Sequence, residues 1–211
     1  MLVHCPSRAN IISSGTFVRQ VNTPSHIAAS LLVWRNEEGV LPVSAVIAGA
    51  MIPDLPMFGF YGYQRLWAGR SEGEIWTHLY FEESWQYLFD LFNSIPFAIG
   101  LIILCNWLGF RWGMLFAASA LLHMCCDLPL HHDDAHRHFL PISDWRLQSP
   151  ISYWDPQHYG GYFAILELAF SIAACGFVGW TAHSASMRIA AFGTLLMYAI
   201  GIGFALLVWV F

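Results

Sequence analysis

Five apolar runs constrain this chain more than any other feature. They cover residues 40–60, 86–108, 112–130, 162–181 and 187–211. Each holds about twenty residues, the length at which a helix rising 1.5 Å per residue crosses the roughly 30 Å hydrocarbon core of a bilayer. A further apolar piece, residues 26–34, is too short to cross alone. Lipid offers the backbone no hydrogen bonds, so a spanning chain must be helical or a closed barrel, and runs of this length read as helices. The expected fold is all-α, a multi-pass transmembrane bundle of about five to six helices. Charge agrees with this. Only 11% of the residues are charged, against about 25% in a soluble domain. Nine arginines and no lysine give a net charge of −5 with no basic stripe, which argues against nucleic acid as a partner. The partner expected from composition is the lipid bilayer.

Residues 1–20 contain no continuous apolar stretch and do not read as a secretory signal. They are expected to be disordered, or an extension upstream of a true start at Val21. A single membrane-embedded domain is expected over 21–211. Thr23 is a good helix N-cap and Pro24 suits the first helical position. That places His26 in the opening turn of the first helix. The run 40–60 is interrupted near its end by Pro53-Asp54-Leu55-Pro56. An aspartate at the end of a membrane helix is costly unless it has a use. Residues 61–85 read as a polar, aromatic loop containing Thr77-His78.

The densest chemistry lies between Ala120 and Gly161. His123 and Asp127 stand four apart, so both fall on one face of a helix. His131, His132, Asp133, Asp134, His136 and His138 follow within eight residues, and Asp155 and His158 close the stretch. Imidazole and carboxylate together suit zinc, and also manganese or iron. The five cysteines form no CxxC; Cys105, Cys125, Cys126 and Cys175 sit in apolar runs and read as small apolar residues. Cys126 shares a face with His123 and Asp127 and is a lesser candidate ligand.

Counting crossings brings these polar residues to one membrane face. The start of the first helix, the end of the run 40–60, the loop with His78 and the end of the run 112–130 all emerge there. That face also carries Arg8, Arg19, Arg65, Arg70, Arg137 and Arg146, against Arg35, Arg111 and Arg188 opposite. The excess of arginine predicts that the site faces the cytoplasm.

The order Ser25-His26, Pro53-Asp54, Thr77-His78 and His123-x-x-x-Asp127, followed by a proline-containing loop, resembles the YdjM-like membrane-bound metal-dependent hydrolases of bacteria. The resemblance covers roughly residues 22–160. It departs from the family pattern at Pro56, where a second aspartate is usual, and at Gly73-Glu74-Ile75-Trp76, where His-Arg-Gly is usual. It implies a multi-pass protein of the bacterial inner membrane and a divalent metal, with zinc expected and manganese or iron as alternatives. His26, Asp54, His78, His123 and Asp127 are the expected metal ligands. His132, Asp133, His136 and Asp155 are the expected catalytic residues, with His158 beside them, as a general base, as supports or as ligands of a second ion. A metal ion with an open position lowers the pKa of its water to about 7 and so arms it against a phosphoryl or acyl centre. A site at the bilayer surface suits an amphiphilic, lipid-like phosphoester. Two other classes remain open from the residues: a membrane di-iron oxygenase, for which His132-x-x-x-His136 is one box, and a non-enzymatic metal-binding or assembly protein.

Overall fold

The computed structural model describes residues 23–209, and the expectation for residues 1–20 lies outside them. Among the described residues the structure is helical with no strand. In chain order the helices are α1 (Thr23–Val33), α2 (Val40–Met51), α3 (Leu55–Gly62), α4 (Glu72–Thr77), α5 (Glu83–Phe92), α6 (Ile95–Trp107), α7 (Arg111–Asp127), α8 (Gly160–Thr181) and α9 (Ala185–Trp209). Four helical stretches are long and apolar enough to cross a membrane: Val40–Trp67, Glu83–Trp107, Gly160–Thr181 and Ala185–Gly203. No more than 33% of the apolar window in any of them is buried within the protein. Large apolar side chains such as Ile103, Ile165, Phe192 and Ile200 therefore face outward.

The helix α7 is the centre of the bundle, packed along α2 and α6, while α1 bridges α2 and α8, and α9 closes on α8. The α2–α7 crossing is tight because Gly49 lies directly against the backbone of Phe116. A core of Ile27, Leu31, Val46, Val178 and Met187 binds α1, α2, α8 and α9 together. A second core is aromatic: Phe60, Tyr80 and Phe89, with Trp76 and Trp85 packed against them.

Residues 61–85, expected as a loop, are largely helical. The run begun by α2 passes through a 3-10 turn at Ile52–Asp54 into α3 and a wide turn at Tyr63–Trp67. The prolines do not stop it, because Pro53 and Pro56 each occupy the first turn of a new short segment. There a missing backbone N–H costs nothing. The helix α4 follows with Ser71 as its N-cap, accepting from the Glu74 N–H.

The apolar run 86–108 is broken between α5 and α6, where Ser94 caps α6 with Pro96 in its first turn. The break is used. The Ile95 N–H donates to the His138 carbonyl at 2.8 Å and the Ser94 hydroxyl to the Leu140 carbonyl at 2.5 Å. These bonds dock the loop 128–159 onto the helices. Further along, the Tyr153 N–H donates to the Leu130 carbonyl at 3.0 Å and the Ser149 N–H to the His131 carbonyl at 2.9 Å. The loop carries no regular structure beyond the 3-10 turn Pro156–His158, yet its backbone is pinned at both ends.

Candidate metal centre

Three helix ends meet at one point. His26 comes from the first turn of α1, Asp54 from the bend after α2, and His123 and Asp127 from the last turns of α7. His26, His123 and Asp127 are all buried, and one ligand atom from each lies within 4.8 Å of the others, a group that could hold a metal ion. The His26 Nε2 is 2.9 Å from Asp127 Oδ1, and the His123 Nε2 is 3.1 Å from Asp127 Oδ2. Asp54 Oδ1 lies 3.6 Å from the same His123 nitrogen, and Asp54 Oδ2 accepts a hydrogen bond from the Thr23 hydroxyl. The rings of His26 and His123 stack with centroids 3.8 Å apart.

The tautomer of His123 decides what this arrangement can do. Its Nδ1–H donates to the Ala50 carbonyl at 2.7 Å. In the neutral ring Nε2 is then a bare lone pair, and it points at two carboxylates. Lone pairs facing lone pairs repel, so a cation must lie between them, either a proton on the ring or a metal ion. Backbone carbonyl to Nδ1, metal to Nε2, is a common arrangement for a ligating histidine. The His26 Nε2 is buried and makes no hydrogen bond, although Asp127 is close by, because the carboxylate is off the N–H direction. A cation that sits off that line suits such a pair better than a hydrogen bond does. The donor set, two imidazoles and one or two carboxylates, suits zinc, manganese or iron.

Comparison of the chain with protein-family models, curated proteins and solved structures gives no match.

Of the five ligands expected from the sequence, the structure gathers His26, Asp54, His123 and Asp127. It does not bring in His78, which is exposed where α4 ends. The ring that completes the cluster is instead His131, buried at 5% exposure, with Nε2 at 3.5 Å from Asp127 Oδ2 and Nδ1 at 3.0 Å from Asp134 Oδ2. Burial disfavours a charged His131, but the carboxylates of Asp134 and Asp127 outweigh it and hold the ring well above its ordinary pKa. Asp134 answers in the opposite sense: burial would raise its carboxyl, and His131 beside it brings the pKa down. The Trp154 Nε1–H fixes that carboxylate at 2.9 Å.

The four expected catalytic residues separate. His136 lines a small cavity together with Asp54, Asp127, His131, Tyr80 and Tyr153. Asp133 is exposed. His132 stacks on His158 with centroids 3.7 Å apart and donates its Nδ1–H to the Ser149 carbonyl at 2.6 Å. Asp155 accepts from His158 Nδ1 at 2.6 Å and caps the 3-10 turn through the Gln157 N–H. His132 and Asp155 hold the loop's own shape, and neither they nor Asp133 line the cavity. Cys126 is half-buried and lines a separate groove beside His26.

One residue of the site lies outside the expected set, although its sequence setting marks it. Asp90 stands alone in an apolar run and is fully buried. It accepts from the Arg137 N–H at 3.0 Å, the Arg137 Nε–H at 2.5 Å, Arg146 at 3.3 Å and His136 Nδ1 at 3.2 Å. A buried carboxylate gripped by two arginines and a histidine is a fixed anchor, and it leaves the His136 Nε2 as the nitrogen available to the cavity. His138 packs near His136 and gives its Nδ1–H to the Asn93 carbonyl at 3.0 Å. Burial and the neighbouring His136 push the His138 pKa down to about 4, so it stays neutral.

Proposed function

We propose that this protein is a membrane-embedded, metal-dependent hydrolase related to the YdjM-like family, acting on an amphiphilic phosphoester at the cytoplasmic face of the bacterial inner membrane. In this reading the four span-length helices, with α1 and the 17-residue α7, make the five to six membrane helices of the bundle. The observation that carries the reading is His123. Its Nδ1–H is committed to the Ala50 carbonyl while its Nε2 faces Asp54 and Asp127, with the His26 Nε2 on the other oxygen of Asp127. Those residues would hold a divalent ion, zinc first. When bound, such an ion supplies Lewis acidity and brings the pKa of a coordinated water to about 7.

The chain's own groups do the rest. His136, oriented by Asp90, is the proton acceptor at the cavity wall. Burial, reinforced by Asp134, keeps the phenols of Tyr80 and Tyr153 well above their ordinary pKa. They stay protonated and can donate to an oxygen that gains charge during the reaction. The amphiphilic substrate is supported by a groove of about 240 Å³ that starts at His26 and runs between α1 and α8 past Ala29, Phe163, Leu166 and Phe170. A hydrocarbon tail fits such a wall, and its polar head would then reach the site.

The test is Asp127→Asn, which is nearly isosteric. Metal content of the purified protein should fall from stoichiometric to near zero, together with hydrolysis of lipid phosphoesters presented in phosphatidylethanolamine–phosphatidylglycerol vesicles. Hydrolysis that persists in the variant or in excess chelator would refute the reading.

A further inference from the structure

The cavity that His136 lines is separate from the groove beside His26. His26 borders the groove toward α8 and is absent from the cavity wall, whereas Asp54, Asp127 and His131 form that wall. Asp127 therefore presents two sides: Oδ1 to His26, and Oδ2 to His123 and His131. The cavity has a volume of about 20 Å³, enough for a single ion or water.

His131 is the group that calls for an occupant. Its side chain is 7% exposed, and neither ring nitrogen makes a hydrogen bond. Unbonded polar atoms at this depth are rare, because leaving them so carries a desolvation penalty. Its Nδ1 sits 3.0 Å from Asp134 Oδ2, and Trp154 holds Asp134 in place. Asp134 lies beside Nδ1, and Nε2 faces Asp127 and the cavity. His123 shows the same pattern, with the Ala50 carbonyl at its Nδ1. Two rings of the cluster are thus prepared as ligands from two different elements, α7 and the loop, and they share one carboxylate. Asp54, Asp127 and Asp134 bring three carboxylates to His123 and His131. Asp90 needs no further cation, since Arg137 and Arg146 already face it.

We propose that this cavity is a second divalent-cation site, formed by His131, Asp127 and Asp54, so that Asp127 bridges two ions. The inference rests on the metal-centre reading above and adds a ligand, His131, that belongs to the loop of this particular chain. His136 remains outside the ligand set, as the proton acceptor.

The experiment is a Mn²⁺ titration of the full-length chain in detergent after metal stripping, read by ions per chain and by electron paramagnetic resonance. Two Mn²⁺ per chain with a spin-coupled spectrum are expected. His131→Gln should halve the count to one and leave the six-line spectrum of an isolated ion, and His26→Gln should also leave one. One Mn²⁺ in the wild-type chain would overturn the second site and leave a mononuclear hydrolase intact. Two uncoupled ions whose number is unchanged in His131→Gln would also overturn it, since they would lie elsewhere. Two coupled ions in a protein that hydrolyses no vesicle phosphoester would support the site and refute the proposed function. The wild-type count decides the matter even if a variant fails to fold.

Discussion

Replacing Gly49 by alanine tests the link between the fold and the metal centre. A Cβ at this position would lie 2.1 Å from the Phe116 carbonyl oxygen and 2.9 Å from Ser119 Cβ. Backbone cannot turn aside as a flexible side chain can. Ordinary contact begins near 3.4 Å, so α2 and α7 must part by about 1.3 Å, the difference between 3.4 and 2.1 Å. Alanine improves helix propensity by about 1 kcal/mol. Against this stand about 1–3 kcal/mol for overpacking and about 1 kcal/mol for the hydrogen bond of His123 to Ala50, the next residue on α2. The net loss is about 2 kcal/mol, or a fall in Tm of about 5 °C for a chain of this size. The same separation frees the ring of His123, and loss of an orienting partner typically lowers metal affinity by about 10–100-fold. Thermal unfolding in detergent and a competition titration with a chromophoric chelator measure the two effects. A Tm that holds or rises, with unchanged affinity, would show that α2 and α7 do not cross at Gly49.

Two further outcomes follow from the buried charges of the loop. Asp90→Asn leaves Arg137 and Arg146 without their shared carboxylate and should destabilise the protein by about 3 kcal/mol, seen as a Tm drop in the same detergent; an unchanged Tm would show that Asp90 is not their anchor. His138 has a folded pKa of about 4 against an ordinary 6.5. The native state refuses a proton that the unfolded state takes up, so His138 costs the metal-free protein about 3 kcal/mol of stability as pH falls from 6.5 to 4. His138→Gln should flatten that part of the pH–Tm curve, and an unaltered acid slope would place its origin elsewhere.

Much of the architecture was legible in the sequence because helices repeat. The i, i+4 spacing of His123 and Asp127 puts both on one face of any helix that contains them, and α7 does contain them. Thr23 and Pro24 mark the start of α1, and so the depth of His26. Length and apolar content were enough to anticipate four span-length helices, while the run 112–130 forms the shorter, 17-residue α7. Expectations failed where no period applies. Pro53 and Pro56 looked like the end of a helix, yet each begins a new segment, and the helical run continues to Trp67.

What the sequence by itself determined was the long apolar helices and the pair of ligands that one helix carries, since both follow from local periodicity and apolar length. Which histidines of His131, His132, His136 and His138 turn inward was decided by tertiary structure alone. The loop has no repeat, so the direction of each side chain is set by where its backbone is pinned. Tyr153 ties to Leu130, Ser149 to His131, and the break at Ser94 receives His138 and Leu140. Those bonds turn His131 and His136 toward the centre, set His132 against His158, and leave Asp133 exposed. His78 and His26 show the same division. Each is a lone histidine beside a helix end, and only the packing of α1 between α2 and α8 brings one of them within 2.9 Å of Asp127.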